Sequence, residues 1–423
     1  MRAVQFNVTI PGFLVARSVG RLGEPFRFRA WTGLRLRDLE DPPAPPPGWA
    51  RLDVLGCGIC GTDLGNLSYE ASPILEPFGS FPAVLGHEIL GRIESVGPGV
   101  RRVVPGDRVA ANPLISCAAR GWSEPEWCAS CRAGLHGTCE MAGEEGSTII
   151  GGRPLGRGLM IGYHRDLSGG WCGRMLAHES QLFPLDTAIP NRVGVLVEPL
   201  SVCVHAVLNA LPPAGEDVLV IGSGPIALGT VWALRAAGFG GAIVVQTKRA
   251  PEGKLARLLG ATDIVSPGEV AREALVGTGA RAYQPILGNE IFSGGGFPHV
   301  FDCVGSATSL AQALRFAAAR GRIVMLGCAA ELRRVDLSLL WARELEIRGF
   351  VGYGRERWRG EELHTFEVTE RLILETGAPL ERMVTHAFPL EQYRYALSAA
   401  ANRGRSGALK VVLTPDEGGF SEG

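Results

Sequence analysis

The sequence predicts an α/β protein in two parts, an irregular strand-rich domain and a doubly wound parallel sheet with crossover helices. Three observations predict it. The first half is a series of short apolar runs cut by glycine and proline, such as residues 51–55, 89–96 and 108–111, which reads as many short strands. Near Glu198 strand and helix patterns begin to alternate, at residues 218–221, 227–237, 242–246, 254–259, 300–303, 310–319 and 322–326. Such alternation builds a parallel sheet. After about Gly349 the pattern breaks again, into a helix-like stretch at 360–375 and a closing strand at 409–413. The implied boundaries are residues 1–197 with 350–423 for a discontinuous first domain, and 198–349 for the domain inserted in it.

The bulk composition bounds the possibilities. The 423 residues can bury two cores. Glycine, at 58 residues, is about twice its usual share of roughly 7%, which points to many tight turns. The net charge of -1, with no basic run, argues against a nucleic-acid partner. The longest apolar stretch, 218–234, contains Gly222, Gly224, Pro225 and Gly229, so it reads as a buried strand and helix instead of a membrane span. Residues 1–13 lack the basic start and apolar stretch of a signal peptide. With that, the ten cysteines point to a reducing, cytoplasmic setting. The proline-rich stretch 42–48 reads as a stiff connector into the strand at 50–55.

The dinucleotide signal lies at the start of the second domain. Val218-Leu219-Val220-Ile221 is a compact apolar strand that runs into Gly222-Ser223-Gly224-Pro225-Ile226-Ala227 and then a helix. The first glycine permits the tight turn, and the second lets the backbone approach a pyrophosphate at the helix N-terminus. Ala227 stands where a third glycine is usual and is small enough for close packing. Gly222, Gly224, Pro225 and Ile226 are therefore candidate cofactor contacts, with an ordinary glycine turn as the alternative. An acid at the end of the next strand would bond the ribose 2′-hydroxyl of NAD. The sequence there is Val245-Gln246-Thr247-Lys248-Arg249, with no acid. Lys248 and Arg249 could hold a 2′-phosphate, which favours NADP while leaving NAD open. A solvated basic loop is the alternative.

A metal pattern precedes it. Gly56-Cys57-Gly58-Ile59-Cys60-Gly61-Thr62-Asp63 is followed by Gly86-His87-Glu88. A thiolate and an imidazole suit zinc, and a catalytic site needs three protein ligands and an open position. Glu198 is the third candidate, and Glu88 is either a ligand or a group behind the ligands. His87 as a core histidine, and Cys57 with Cys60 as half a zinc knuckle, are the alternatives.

Together these residues resemble the zinc-dependent medium-chain dehydrogenase/reductase family, which includes alcohol, polyol, sugar and threonine dehydrogenases. The resemblance covers roughly residues 33–260, 301–349 and the closing strand. Besides the two runs above it is carried by Gly91, Gly97 and Gly106-Asp107-Arg108-Val109. It implies a GroES-like catalytic domain, a Rossmann cofactor domain, and hydride transfer between a secondary alcohol, polyol or sugar and NAD(P). It further implies a small-molecule substrate, no nucleic-acid or membrane partner, and a homo-oligomer. By the resemblance, Cys60 and His87 ligate a catalytic zinc, Thr62 hydrogen-bonds the substrate oxygen, and Asp63 stands behind the ligands. Glu198 lies in a Glu-Pro-Leu segment similar to the polyol and sugar branch, where this glutamate binds zinc directly or through water. The active site is expected in the cleft, where the strand ends of the cofactor sheet face the zinc. One departure stands out. Many members carry a proton-passing histidine five residues after the cysteine ligand, and this chain has Gly65 there, so water, Asn66 or a ribose hydroxyl would have to substitute.

Cys128, Cys131 and Cys139 have the spacing of three ligands in the family's structural zinc lobe. The fourth usually sits two residues before the first, whereas the nearest cysteine here is Cys117. Lengthening that loop from two to ten residues costs only about 1.4 kcal/mol, against about 10–16 kcal/mol for structural zinc binding. A four-cysteine site is therefore expected. A three-cysteine site completed by His136, or no metal, are the alternatives. Cys57, Cys172, Cys203, Cys303 and Cys328 read as small buried hydrophobes. Cys303 and Gly327 also lie at strand ends resembling those whose backbone faces the nicotinamide ribose. Trp171 and His164 read as either pocket lining or core. His178, His205, His299, His364 and His386 show no ligand spacing. Residues 7–32 and 277–298 look like insertions. Two other readings compete: a zinc-free quinone or enone reductase, and a non-catalytic NADP-binding sensor with one structural zinc.

Overall fold

The computed structural model describes residues 1–18, 28–327, 331–415 and 420, so Cys328 and part of the 7–32 insertion lie outside the described residues. The chain divides into two compact units. The first is Met1–Glu198 with Gly352–Leu374 and Met383–Gly423, and the second is Pro199–Val351 with Glu375–Arg382.

The first unit is built on a seven-stranded sheet. Its order is Leu182–Pro184, Arg108–Ala111, Glu88–Val96, Trp49–Gly58, Lys410–Thr414 and Val384–Pro389, and Arg174–His178 also pairs with Trp49–Gly58. Trp49–Gly58 can take three partners because it is long and alternates. Ala50, Leu52 and Val54 are buried, and the residues between them are partly exposed. Its last residue, Gly58, stands opposite Glu88 on one side and Val412 on the other. The closing strand is thereby set against the start of the metal pattern. A second, three-stranded sheet has the order Leu34–Asp38, Arg2–Phe6, Ala83–Val84. Trp49, Leu52, Ile89, Val109, Met175 and Leu413 belong to one apolar core.

The second unit contains a six-stranded sheet with every neighbouring pair parallel. Its order is Asp263–Val265, Ile243–Gln246, Val218–Ile221, Phe297–Asp302, Ala317–Met325 and Glu346–Gly349. The first strand in sequence lies in the middle, and the chain turns outward from it in both directions. That is the doubly wound order, with its switch point between Val218–Ile221 and Phe297–Asp302. Val218–Ile221 is buried throughout, as expected for a strand covered on both faces.

One segment resolves differently from its sequence reading. The stretch 360–375 does not begin as a helix. Glu361–His364 forms a strand with Arg355–Trp358, and the helix is Thr365–Thr376. The start is fixed locally, because Glu367 accepts the His364 backbone N–H at 2.8 Å and His364 Nδ1 accepts that of Phe366 at 3.2 Å. Much of the 277–298 insertion is a hairpin, Arg281–Tyr283 with Ile291–Ser293. Arg272 Nε holds Glu290 at 2.9 Å, and Phe292 meets Phe316 edge-on. Among the described residues no helix is long and apolar enough to cross a membrane.

The proline stretch is seated firmly. Gly48 N–H donates to the Pro98 carbonyl at 2.9 Å, and a Cβ at Gly97 would overlap the carbonyls of Pro45 and Pro46. Gly97→Ala should therefore destabilise the first unit by roughly 1–3 kcal/mol, the usual cost of overpacking. Thermal unfolding measures it, and an unchanged Tm would show that the connector yields.

Candidate active site and metal centres

The Cys60 segment is shaped by its own hydrogen bonds. Cys60 is the N-cap of the helix Gly61–Leu67, with extended backbone (φ -90, ψ 157). Asp63, three residues on, accepts the Cys60 N–H at 2.9 Å, and the Thr62 hydroxyl lies 3.6 Å from Cys60 Sγ. This is a capping box with cysteine in place of serine. Asp63 is fully buried and accepts the Tyr163 hydroxyl at 2.5 Å. The same oxygen lies 3.3 Å from His87 Nδ1.

His87 sits between Gly86 and the strand Glu88–Val96. Gly86 has φ +95, and a Cβ there would overlap Trp171. A Cβ at Gly58 would overlap the Glu88 carboxylate. The glycines of the two runs thus open the space that the chemical groups occupy. The ligand atoms of Cys60, His87 and Glu88 all lie within 4.8 Å of one another.

Three residues that carry no motif complete the arrangement. Lys410 Nζ donates to both Glu88 oxygens, at 2.5 and 2.6 Å, with the lysine and glutamate side chains 4% and 1% exposed. Tyr353 donates to Glu198 at 3.0 Å, and Tyr163 holds Asp63. Their partners are 322, 155 and 100 residues away, so no local spacing signals them.

The electrostatics favour a cation. Burial disfavours charge on His87, but Asp63 and Cys60 outweigh it and raise the imidazole pKa well above its ordinary value. Burial likewise opposes charge on Lys410, and Glu88 outweighs it. For Asp63, His87 and the hydrogen bonds outweigh burial and hold the carboxyl below its usual range. Glu198 is outside the tight group of ligand atoms but couples electrically to His87, Glu88 and Lys410. Burial, helped by Glu88, pushes it up to about 7. A partly exposed thiol, a buried imidazole and buried carboxylates, in a place that stabilises positive charge, form a donor set that fits zinc.

Gly65 faces open space, with nothing within 4 Å of a Cβ built there. The neighbouring Asn66 amide donates to the Thr62 carbonyl at 2.9 Å. Trp171 and His164 are fully buried. Trp171 Nε1 reaches the Gly58 carbonyl at 3.5 Å, and His164 Nε2 lies 3.0 Å from that of Gly156, which makes both of them core residues. A cavity of about 430 Å³ elsewhere in the first unit is lined by Arg102, His136, Phe183, Arg355 and His364, and by none of the Cys60 group.

The structure brings Cys117, Cys128, Cys131 and Cys139 together. All four are buried, and their sulfurs lie within 4.8 Å of one another. Backbone N–H groups of Cys117, Cys128 and Cys131 point at neighbouring sulfurs at 3.4–3.5 Å. Cys139 is pushed down to about 5, chiefly by its bond from Cys131, and burial pushes Cys117 up to about 11. So close a group cannot ionise fully without a cation among the sulfurs, and the donor set fits a four-cysteine zinc site.

In the second unit, Gly222 has φ +117, and Gly224 is the N-cap of the helix Pro225–Ala236. Cys303 and Val304 lie beside Gly222. Gly305 (φ +68) and Gly327 approach too closely for a Cβ on either. Asp302, fully buried, fixes that turn by accepting the Val304 and Gly305 N–H groups at 3.0 and 3.1 Å. Lys248 is exposed, and Arg249 pairs with Glu252 at 3.2 Å. Glu252, which also receives the Ser223 hydroxyl at 3.4 Å, is an acid the strand-end pattern does not reveal. Of the other cysteines, Cys57, Cys172 and Cys203 are buried and Cys303 is partly exposed.

Comparison with known proteins matches these parts. Residues 46–187 match the alcohol dehydrogenase GroES-like domain, and residues 225–367 match the zinc-binding dehydrogenase family. L-idonate 5-dehydrogenase of Vitis vinifera is 30% identical over 88% of this chain and 89% of its own length. Sorbitol dehydrogenase of Homo sapiens is 28% identical, covering 89% of this chain and 92% of its own. A solved zinc-binding dehydrogenase of Sinorhizobium meliloti, bound to NADP, is 26% identical with a TM-score of 0.69, over 98% and 99% of the two chains. The fold is thus a GroES-like domain with a Rossmann sheet, and the chain belongs to the zinc-dependent medium-chain dehydrogenase/reductase family, oxidoreductases that move hydride between an alcohol and NAD(P).

Proposed function

We propose that this oxidoreductase is NADP-linked, acts on secondary alcohols and polyols, and carries two zinc ions. One is held by Cys60, His87 and Glu198, the other by Cys117, Cys128, Cys131 and Cys139. The observation that carries the reading is the approach of the Cys60 and His87 ligand atoms within 4.8 Å, beside two buried carboxylates, Glu88 in the same group and Glu198 coupled electrically to His87. Relatives named for idonate and sorbitol support a polyol substrate. The NADP bound to the similar structure supports the cofactor. The division into domains at residues 1–197 with 350–423, and 198–349, belongs to the same reading.

When bound, zinc supplies Lewis acidity and the nicotinamide supplies a hydride acceptor. The chain's own residues do the rest. Asp63 Oδ1, 3.3 Å from His87 Nδ1, favours a proton on that nitrogen and would leave Nε2 for the metal. Lys410 occupies both Glu88 oxygens, so Glu88 stays behind the ligands and Glu198, steadied by Tyr353, is the third. The Thr62 hydroxyl, beside Cys60 Sγ, accepts a hydrogen bond from the substrate hydroxyl and takes its proton onward. The Asn66 amide is engaged by a backbone carbonyl, and Gly65 leaves open space, so the proton leaves to water. Gly222, Gly224, Pro225 and Ile226 cradle the pyrophosphate, Cys303 and Gly327 border the nicotinamide ribose, and Lys248 with Arg249 takes the 2′-phosphate. The crowded thiols need a reducing compartment to stay available to metal, which supports the cytoplasm. The same reading makes the protein a homo-oligomer without a nucleic-acid partner.

Elemental mass spectrometry tests the metal assignment. Wild type should hold two zincs per chain, and Cys60→Ser and Cys128→Ser one each. A single zinc that survives Cys60→Ser overturns the catalytic site.

Lys410→Met leaves Glu88 buried and unpaired and should destabilise the first unit by about 3–5 kcal/mol. Adding Glu88→Gln should restore most of it. Chemical unfolding of the three proteins measures this, and a Lys410→Met variant as stable as wild type would refute the buried pair.

Lys248→Ala with Arg249→Ala should weaken NADP binding about tenfold or more, at roughly 1.5–3 kcal/mol per charged hydrogen bond, and leave NAD binding unchanged. Calorimetry decides it, and wild type that binds NAD more tightly than NADP rejects the cofactor assignment.

A further inference from the structure

The cysteine lobe contains a fully buried cation. Arg120 is 0% exposed and lies three residues after Cys117, on a turn closed by its own N–H to the Ser116 carbonyl at 3.1 Å. Its guanidinium donates to the carbonyls of Glu144 at 2.9 Å, Gly156 at 3.2 Å, Ala142 at 3.4 Å and also Gly158. Every one of these acceptors is neutral backbone. Nε has no hydrogen-bond partner, and among the described residues no carboxylate pairs with Arg120. A guanidinium taken wholly out of water without a counter-charge is costly, so the structure has to compensate it. Ala142, which takes the guanidinium on its carbonyl, donates its own N–H to the Cys139 carbonyl at 3.4 Å, so the cation lies against the Cys139 segment. Burial opposes its charge and lowers its pKa, and Cys139, Cys117 and Cys131 act the other way.

The two halves of this arrangement answer each other. Four thiolates around one zinc leave the site doubly negative. One guanidinium beside it halves that excess. The same side chain also ties the turn that carries Cys117 to the carbonyls at 142–158, which follow Cys139 in sequence. The fourth cysteine reaches its place over a long loop, and Arg120 fixes the near end of that loop to the far side of the lobe.

We infer that Arg120 is the built-in counter-cation of the four-cysteine site and sets how tightly the lobe holds its metal. This rests on the four-cysteine reading given above. Arg120 is a positioning residue, and it needs no contact with the zinc.

The test is a competition titration of the full-length protein against a chromophoric zinc chelator, following the zinc that Cys60→Ser retains. Arg120→Gln removes the charge and should weaken lobe affinity about 10- to 100-fold, the usual size of an outer-sphere loss. Arg120→Lys keeps the charge and should stay within a few-fold of wild type. Arg120→Gln with Cys139→His removes one negative charge together with the positive one, and should recover affinity towards wild type. Should Arg120→Gln fail to fold, folding of the other two variants is the expected result, and failure of all three overturns the inference. Arg120→Gln that binds as tightly as wild type also overturns it. So does Arg120→Lys falling as far as Arg120→Gln without rescue by Cys139→His, because the role would then be a carbonyl clamp alone. If Cys128→Ser leaves the zinc count of wild type unchanged, the four-cysteine reading itself falls, and the inference falls with it.

Discussion

Lys410 and Glu88 stand 322 residues apart and meet where water does not reach. Either ion alone would cost several kcal/mol to bury, and the two offset that cost only in good geometry. Much of the first unit serves that geometry. The strand Lys410–Thr414 pairs with Trp49–Gly58, which pairs in turn with Glu88–Val96. Gly58 lacks the side chain that would collide with the carboxylate. With Glu88 fixed, His87 stands just before it in the chain, Asp63, held by Tyr163, stands 3.3 Å from the imidazole, and Cys60 closes the group from its helix cap. The site is a balance of buried charges.

How much of this was legible depends on how local the chemistry is. The turn Gly222–Gly224 and the Cys60 and His87 runs are readable because tight turns, helix caps and metal ligands need fixed spacings. The alternation of strand and helix disclosed the parallel sheet for the same reason. Tyr163, Tyr353 and Lys410 were not legible, because each acts on a partner brought near only by the folded sheet. Within Leu409-Lys410-Val411 the lysine reads as an ordinary strand residue. The start of the helix Thr365–Thr376 was hidden because Glu361-Glu362-Leu363-His364 is helix-compatible, and a hairpin with Arg355–Trp358 takes it instead. Trp171 and His164 looked equally suited to a pocket or a core, and only their complete burial decides between these.

The cofactor unit follows a different economy, in which backbone does most of the positioning. Asp302 spends both its oxygens on the turn at Val304–Gly305 and on the Ser309 hydroxyl, so a buried carboxylate stabilises a turn instead of touching a ligand. Glu252 restrains Arg249 and Ser223 together, which links the basic residues after one strand to the glycine turn after another. An acid is thus present near the dinucleotide turn, on a helix and not at a strand end, and it acts on a neighbouring side chain.

The position of Lys410 in the chain has a consequence for how the protein is made. Synthesis is vectorial, and the glycine-cysteine run and His87 emerge long before the strand that carries the lysine. Until that strand is released and paired, Glu88 lacks the lysine and the strand Trp49–Gly58 lacks one of its neighbours. The candidate metal ligands of the first unit are therefore written early and finished late. The Lys410–Glu88 pair beside them can form only after the whole cofactor unit has been translated.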